Sequence, residues 1–520
     1  MVASMLKTLA KLHFITPRGL FRLVRCFMRE GITLMAIVRF AASYYKDDCA
    51  LVFGRQRKTY LELYEFSRKV AIVLQDEYGI KQRSNVGVVC KNNIVSSAVL
   101  IALSRLGANI RLLNTDLSMQ KLTEMLSQGE FDLVIYDEEM SNRCLPSVLP
   151  CKGVSTEQLS NYININTLTG EKILSNRLDA ASEENGADGK LSKVWRGGSF
   201  SVLTGGSSGK FKEASRSSSI AQFLPPLYAL LNNIRIQDNE SVLIALPFYH
   251  GFGLSTFIVS LAMGKKICLM NHFDANEALA TIIEERVEAL PVVPAMLSRL
   301  LQIESASDGL QSVKSIICGG DRLDKNLVRT AQKMANVQLY NLYGTSEAGF
   351  FLLATHEDLL RFDDATIGKP TCGVNCEVRD VNNEGVGVLW VKTNWAMIGR
   401  KNIWQSTGDL VARNSEGFFF FKGRNDKMVV CGGENVYPEN VEQVLNAHPS
   451  IVNSLVYAVA DVQFGQVLHA QVEKANDSCL TEEEILQWVR PQLSRAEIPH
   501  KIVFGEIKML STGKKTAILE

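Results

Sequence analysis

The amino-acid sequence predicts a multidomain α/β protein with a compact α+β piece at its C-terminal end. Three observations carry that reading. At 520 residues the chain exceeds what one hydrophobic core can organise. Short apolar strands alternate with helical stretches twice, over residues 86–136 and 200–335, the pattern of parallel sheets covered on both faces. After Tyr343 the chain changes to short strands and dense turns as far as Arg424, a barrel-like β region.

Taken in order, Asp47 to Tyr60 reads as a hairpin turning at Gly54, and a helix runs from Tyr60 through Leu74. Val86–Cys90 is a buried strand ending at Lys91-Asn92-Asn93; Ser96–Leu106 is a helix stopped by Gly107. Asn109–Leu113 and Phe131–Tyr136 are strands flanking a helix at Leu117–Leu126, and 137–198 reads as a loop-rich connector. Phe200–Leu203, Val242–Leu246, Lys266–Met270, Ala289–Val293 and Ile316–Cys318 supply the second set of strands. Ala221–Leu231, Ala275–Glu285, a segment opened by Pro294, and Leu323–Ala335 supply its helices. Val242–Gly264 is long and apolar enough to span a bilayer, but Pro247, Gly251, Gly253 and several hydroxyls make it a buried strand, loop and helix. In the last piece, Pro438–His448 and Thr481–Leu493 are the clearest helices.

Composition excludes several classes. Apolar residues make up 46% and charged residues 21%, ordinary for a globular enzyme, and a net charge of +1 gives no global attraction to nucleic acid. The 11 cysteines are scattered, and Cys372 with Cys376 lacks the second pair that a zinc site needs. Reduced thiols in a cytosolic compartment account for them. The N-terminal stretch departs from this average: Lys7, Lys11, Arg18, Arg22, Arg25, Arg29 and Arg39 face only Glu30 before the first Asp. Two readings stay open there. Packing on the body with a solvated basic face is favoured on general grounds, and contact with an anionic membrane surface is the other.

The candidate chemistry lies in short motifs. Thr204-Gly205-Gly206-Ser207-Ser208-Gly209-Lys210-Phe211-Lys212 leaves an apolar strand with bare amides, hydroxyls and a mobile cation, which suits phosphate oxygens. It does not meet the P-loop pattern. Tyr343-Gly344-Thr345-Ser346-Glu347 combines an aromatic face, a glycine, hydroxyls and a carboxylate for Mg2+, although a strand-to-turn sequence explains it equally well. Gly319-Gly320-Asp321 is a similar strand end. Ser406 to Glu442 is the densest stretch: strand, turn, strand, turn, helix, with Asp409 and Arg424 at the strand edges. Taken alone, His250 reads as a satisfied core histidine and Gly513-Lys514 as a solvated end.

In this order the motifs resemble those of the adenylate-forming superfamily, which includes acyl-CoA synthetases, luciferases and peptide-synthetase adenylation domains. That family's TSGTTGxPK loop is similar to Thr204–Lys212, YGxTE to Tyr343–Glu347, TGD to Thr407–Asp409, GRxD to Gly423–Asp426, and GK to Gly513-Lys514. The resemblance covers essentially the whole chain. Leu113-Asn114-Thr115, Gly432-Gly433-Glu434-Asn435-Val436-Tyr437-Pro438 and Asp461–Gln466 make it most similar to bacterial fatty-acid, long-chain type, acyl-CoA ligases.

The resemblance implies two stacked α/β subdomains plus a distorted β-barrel in a large N-terminal domain, with a small mobile α+β C-terminal domain. The implied boundaries are 1–45 for the basic amphipathic segment, 46–425 for the AMP-binding domain and 426–520 for the mobile domain. It implies ATP, Mg2+ and CoA as co-substrates. A carboxylate, expected to be that of a medium- or long-chain fatty acid, becomes acyl-AMP and then acyl-CoA. Thr204, Gly205, Gly206, Ser207, Ser208, Gly209 and Lys212 would hold the β,γ-phosphates; Ser346, beside Gly344 and Thr345, would touch the α-phosphate, and Glu347 would bind Mg2+. Gly320 and Tyr343 would flank adenine, Asp409 and Arg424 would hold the ribose, and His250 would sit beside the acyl pocket. Lys514 would bridge the carboxylate and α-phosphate. Asp426 would be the hinge by which Lys514 leaves and Gly432-Gly433 enters to line a pantetheine tunnel.

Four features depart from the family pattern. Phe211 stands for the usual Pro, Glu213 for the usual Gly, residues 395–408 form a shorter segment, and Lys508 falls near the place of a common Pro. The alternatives are therefore an acyl-AMP ligase loading a carrier protein and a catalytically weak nucleotide-binding homologue. The expected setting is cytoplasmic, with peripheral contact at the inner membrane face through the basic N-terminus.

Overall fold

The computed structural model describes residues 16–117, 119–143, 145–168, 191–205, 211–216, 220–334, 337–425, 429–431, 434–461, 465–475, 478–493, 496–509 and 515–516. Two compact units divide the chain. The first holds residues 1–274, 281–291 and 397–399, the second 275–280, 292–396 and 400–520.

In the first unit a six-stranded sheet runs Gly153–Ser155, Leu133–Tyr136, Asn85–Val89, Asn109–Leu112, Phe200–Gly205, Phe211–Arg216. Its first five strands are parallel and the last pairs antiparallel. All four residues of Leu133–Tyr136 are buried, as an interior parallel strand requires. The helix Ile94–Leu106 begins where Asn93 and Ser96 form a reciprocal capping box and ends at Gly107, whose φ of 73° is left-handed. Its sequence is apolar nearly all round because it is buried nearly all round, packed by Leu34–Ala42 and Tyr60–Asp76. A second group joins the hairpin Cys49–Phe53 and Gln56–Thr59 to the parallel strands Lys266–Leu269 and Ser241–Ile244.

Two sequence readings needed correction here. Residues 137–198 contain the helices Glu138–Asn142 and Thr156–Leu168 and the strand Gly153–Ser155, which completes the sheet edge. The connector reading failed because the asparagine- and β-branched-rich TEQLSNYININTL carries little apolar periodicity. Phe211–Arg216, read only as the tail of a glycine loop, is a strand. Val242–Gly264, in contrast, is the core strand, loop and helix expected, and among the described residues no helix is long and apolar enough to cross a membrane.

The N-terminal segment folds as two capped helices. In Pro17–Glu30 the Thr16 hydroxyl accepts from Gly19 N; in Leu34–Ala42 the Thr33 hydroxyl accepts from Ala36 N. The first packs through one edge, Gly19, Cys26 and Glu30.

In the second unit Ser315–Gly319 and Gln338–Thr345 are parallel, and Gly349–Ala354 returns antiparallel. The β region that follows is an antiparallel sheet in the order Asn375–Arg379, Val386–Lys392, Gln405–Arg413, Phe419–Arg424. Phe351, Leu389, Val411 and Phe419 fill its core. The last part packs the helices Pro438–Asn446 and Glu482–Val489 with the strands Ile451–Asp461, Gly465–Lys474 and Lys501–Phe504 around Val441, Leu468 and Ile485.

Candidate active site

The organising stretch of the second unit is the ladder between Gln405–Arg413 and Phe419–Arg424, in which Asp409 lies directly opposite Arg424. Side chains opposite one another on a ladder are within reach, and here they meet: Arg424 Nη1 donates to Asp409 Oδ1 at 2.8 Å and to Thr407 O at 3.1 Å. Asp409 also accepts from the Tyr343 phenol, and its backbone N–H donates to Thr407 Oγ1 at 3.1 Å. Burial, then the Asp409 carboxylate, push the Tyr343 phenol well above its ordinary range, so it stays a donor. Its ring meets Phe351 edge-on at 5.3 Å. Gly408 lies between Thr407 and Asp409 at φ +74°, and a methyl there would stand 3.1 Å from Arg424 Nη2. A buried carboxylate beside a partly open guanidinium accepts from and donates to a pair of neighbouring hydroxyls, the chemistry of a ribose edge.

Gly344 and Thr345 end the strand Gln338–Thr345, opposite Phe350 and Gly349, and Ser346, Glu347 and Ala348 turn the chain into Gly349–Ala354. Only glycine fits at 344, where a Cβ would fall 2.3 Å from Gly349 O. Thr345 Oγ1 accepts from Ala348 N at 3.1 Å, which shapes the turn, while Ser346 is exposed and Glu347 half-buried. A lone Glu347 fits Mg2+, which takes one or two carboxylates and completes its shell with water and phosphate oxygens. Gly320 follows Ser315–Gly319 at φ +84° with open space above its Cα except for Val293 Cγ1 at 3.4 Å, so a flat ring can approach the backbone. Beside it, Arg322 donates to Glu439 O at 3.0 Å and to Gln443 Oε1, and stacks over Phe421.

The first unit holds the glycine loop and His250. In register, Thr204 faces Lys212 and Gly205 faces Phe211, so the two ends of the motif lie on neighbouring antiparallel strands. Glu213, the departure that brought an acid beside the loop, accepts from Ser215 Oγ at 2.9 Å and lies 3.5 Å from Arg111 Nε. Burial alone would raise its carboxyl, but hydrogen bonds from Ser201 and Ser215 and the Arg111 charge hold it below the usual range. Its negative charge therefore has a partner.

His250 is the N-cap residue of Gly251–Ala262; its N–H donates to Pro247 O and its ring lies 5.0 Å from Tyr249. The turn that carries it is pinned by a residue the sequence reading passed over. Asn92, buried at 1% exposure, donates to Leu246 O at 2.9 Å and accepts from Phe248 N at 3.0 Å. The available signal was an amide at the mouth of a buried strand, where a polar side chain must find partners.

Tyr343, Asp409 and Arg424 are thus brought together, and the strand that carries Tyr343 runs on through Gly344 and Thr345 into the turn with Ser346 and Glu347. Gly206, Ser207, Ser208, Gly209, Asp426, Gly432, Gly433 and Lys514 lie outside the described residues. Next to the last of these, Lys515 Nζ donates to Ser454 O at 2.6 Å and pairs with Glu442 at 3.2 Å.

The fold and these sites define an AMP-binding enzyme of the adenylate-forming superfamily: that family's profile matches residues 38–399, and the profile of the AMP-binding enzyme C-terminal domain matches 440–514. The chain belongs to this family. Among its relatives, the 2-succinylbenzoate–CoA ligase of Bacillus mycoides is 26% identical over 492 residues, covering 90% of this chain and 94% of the relative. That of Lactococcus lactis is 24% identical over 453 residues, covering 84% and 90%. The o-succinylbenzoate CoA synthetase of Bacillus subtilis, solved with its acyl-adenylate intermediate, superposes with a TM-score of 0.73 at 22% identity, covering 92% of this chain and 96% of that one. The anthranilate CoA ligase AuaEII with anthranoyl-AMP gives 0.78 at 17% identity, covering 93% and 95%. These likenesses establish the multidomain α/β fold with a large N-terminal and a small C-terminal domain.

Proposed function

We propose that this chain joins a carboxylic acid to CoA in two steps, using ATP and Mg2+. The acid's carboxylate attacks the α-phosphorus, forming acyl-AMP and releasing pyrophosphate; the CoA thiol then takes the acyl group and AMP leaves. The observation that carries the reading is the Asp409–Arg424 pair, set face to face on one ladder with Tyr343 on the carboxylate. Asp409 and Arg424 hold the ribose hydroxyls, Gly320 and Tyr343 border the adenine, and Thr204–Lys212 with Gly344, Thr345 and Ser346 take the phosphates. Bound Mg2+, held by Glu347, supplies positive charge to the phosphate oxygens. Lys514 offsets charge developing at the α-phosphate during the first step. The chain divides at Asp426, between a domain of residues 46–425 and one of 426–520, and rotation there exchanges Lys514 for Gly432-Gly433.

For the acid, the resemblance of the motifs favours a fatty acid, while the names of the relatives favour an aryl acid such as 2-succinylbenzoate. Either would lie beside His250. A cytoplasmic setting supplies ATP and CoA together and agrees with the 10 free cysteines of the described residues. The test is incubation with ATP, Mg2+, CoA and a panel containing octanoate, palmitate, benzoate and 2-succinylbenzoate. AMP with an acyl-CoA is expected. Acyl-AMP that accumulates despite CoA would move the acceptor to a carrier protein, and no AMP with any acid would overturn the reading. Lys514→Ala should block acyl-AMP formation yet spare thioester formation from supplied acyl-AMP; equal loss of both steps would remove Lys514 from its role.

A further inference from the structure

The helix Pro17–Glu30 presents an outer face that the ligase reaction does not use. Leu20 is 53% exposed, Phe21 69%, Val24 51% and Met28 65%, an unusual concentration of large apolar side chains on one short helix. At 3.6 residues per turn these four occupy an arc of roughly 100°, and Arg25, Arg18, Arg29 and Arg22 fill the adjoining arc of roughly 60°. The opposite edge is fixed to the body. Glu30, at the helix end, accepts from Arg105 Nε at 2.8 Å, Arg39 Nη1 at 2.8 Å and the Tyr64 hydroxyl at 2.7 Å. Arg22 donates to Ser43 O at 2.9 Å and lies over the Tyr44 ring. The helix is therefore held rigidly with its apolar arc outward. Just past its end, Ile32 N donates to Trp195 O, and Trp195 is 67% exposed.

We propose that this face docks on an anionic lipid surface. The apolar arc would enter the headgroup boundary, Arg18 and Arg25 of the arginine arc would meet lipid phosphates, and Trp195 would lie at the interface, where its amphipathic ring is favoured. Charge complementarity selects this occupant: four arginines beside the apolar arc would repel the same face of a second copy, while an anionic bilayer satisfies both arcs at once. Because the helix is already folded and anchored, docking carries no coil-to-helix cost of the kind that weakens binding by disordered segments. The inference is independent of the acid activated at the catalytic site.

The test is co-sedimentation of the full chain with vesicles of phosphatidylcholine alone and of phosphatidylcholine mixed with phosphatidylglycerol. Binding is expected to the mixed vesicles, weakening as salt is raised. Phe21→Glu with Met28→Glu should lower the partition coefficient at least about ten-fold, and Arg18→Gln with Arg25→Gln roughly thirty-fold. All four positions are exposed, so these variants should melt with the parent. Mixed vesicles should shift tryptophan emission to the blue, and Trp195→Phe should abolish the shift. A parent chain that stays in the supernatant, or a Phe21→Glu, Met28→Glu variant that sediments like the parent, would overturn the proposal. So would a dimer in solution that this variant dissociates, since a second copy would then cover the face.

Discussion

Replacing Glu30 by Gln tests how the amino-terminal helix is held. Glu30 is 3% exposed and ends its helix, where the carbonyl dipoles disfavour negative charge. Burial would raise its carboxyl, but the Tyr64 and Arg105 hydrogen bonds and the Arg39 charge outweigh it and hold the group below the ordinary carboxylate range. The amide would keep one acceptor but leave the Arg105 side chain, 5% exposed, as a buried cation without a counter-charge. Removing one partner of a buried pair costs about 3–5 kcal/mol. Arg39, at 16% exposure, retains some solvent, so the lower end is expected, about 3 kcal/mol against a total near 5–15. Two units make global unfolding a poor gauge, so the assay is amide hydrogen exchange in Ile94–Leu106, the helix that bears Arg105. The sign with pH follows from the depressed value. The stabilisation is complete above the unfolded carboxylate value of about 4.3 and is lost as pH falls through the lower folded value. The gap between parent and variant should therefore close in acid. A cost below about 1 kcal/mol at neutral pH, or a gap that persists in acid, would refute the buried-pair account.

Other outcomes follow from the site. Asp409→Asn removes the charge facing Arg424, and charge-assisted hydrogen bonds of about 1.5–3 kcal/mol predict a KM for ATP raised roughly 10- to 150-fold; an unchanged KM would take Asp409 off the ribose. Gly408→Ala, at φ +74° and 3.1 Å from Arg424 Nη2, should cost about 1–3 kcal/mol by amide hydrogen exchange in Gln405–Arg413 and weaken ATP binding in parallel. Asn92→Leu strands two buried backbone groups and should destabilise by about 2–4 kcal/mol. It should also raise KM for the acid more than KM for ATP; equal effects would deny Asn92 its hold on the His250 turn.

Much of the fold was legible because its signals are local. The caps of Ile94–Leu106, its terminal Gly107 and the apolar run at Leu133–Tyr136 each announce an element from within a few residues. The pairing of Asp409 with Arg424 was half legible: both were placed at strand edges, but that they face one another depends on the bulge in their ladder, between Leu410 and Val411. Asn92 was not legible in its role, since its partners Leu246 and Phe248 lie more than 150 residues away. Nor was the partner of Glu213. A negative charge beside a glycine-rich loop expected to take phosphates reads as a liability until Arg111 is brought to it from another strand. Thr156–Leu168 was missed because sheet and helix packing, rather than propensity, holds it.

One residue without a side chain sets the aim of the amino-terminal helix. Gly31 turns the chain at φ +71°, and a methyl there would sit 2.0 Å from Val194 O, so the turn admits nothing larger. The 14 residues before it make a lever roughly 21 Å long. A 20° error at that pivot would carry the lever's far end roughly 7 Å, about the depth to which such a helix enters a headgroup layer. Substitution at Gly31 would thus misdirect Leu20 and Phe21 without altering a single residue of the exposed face.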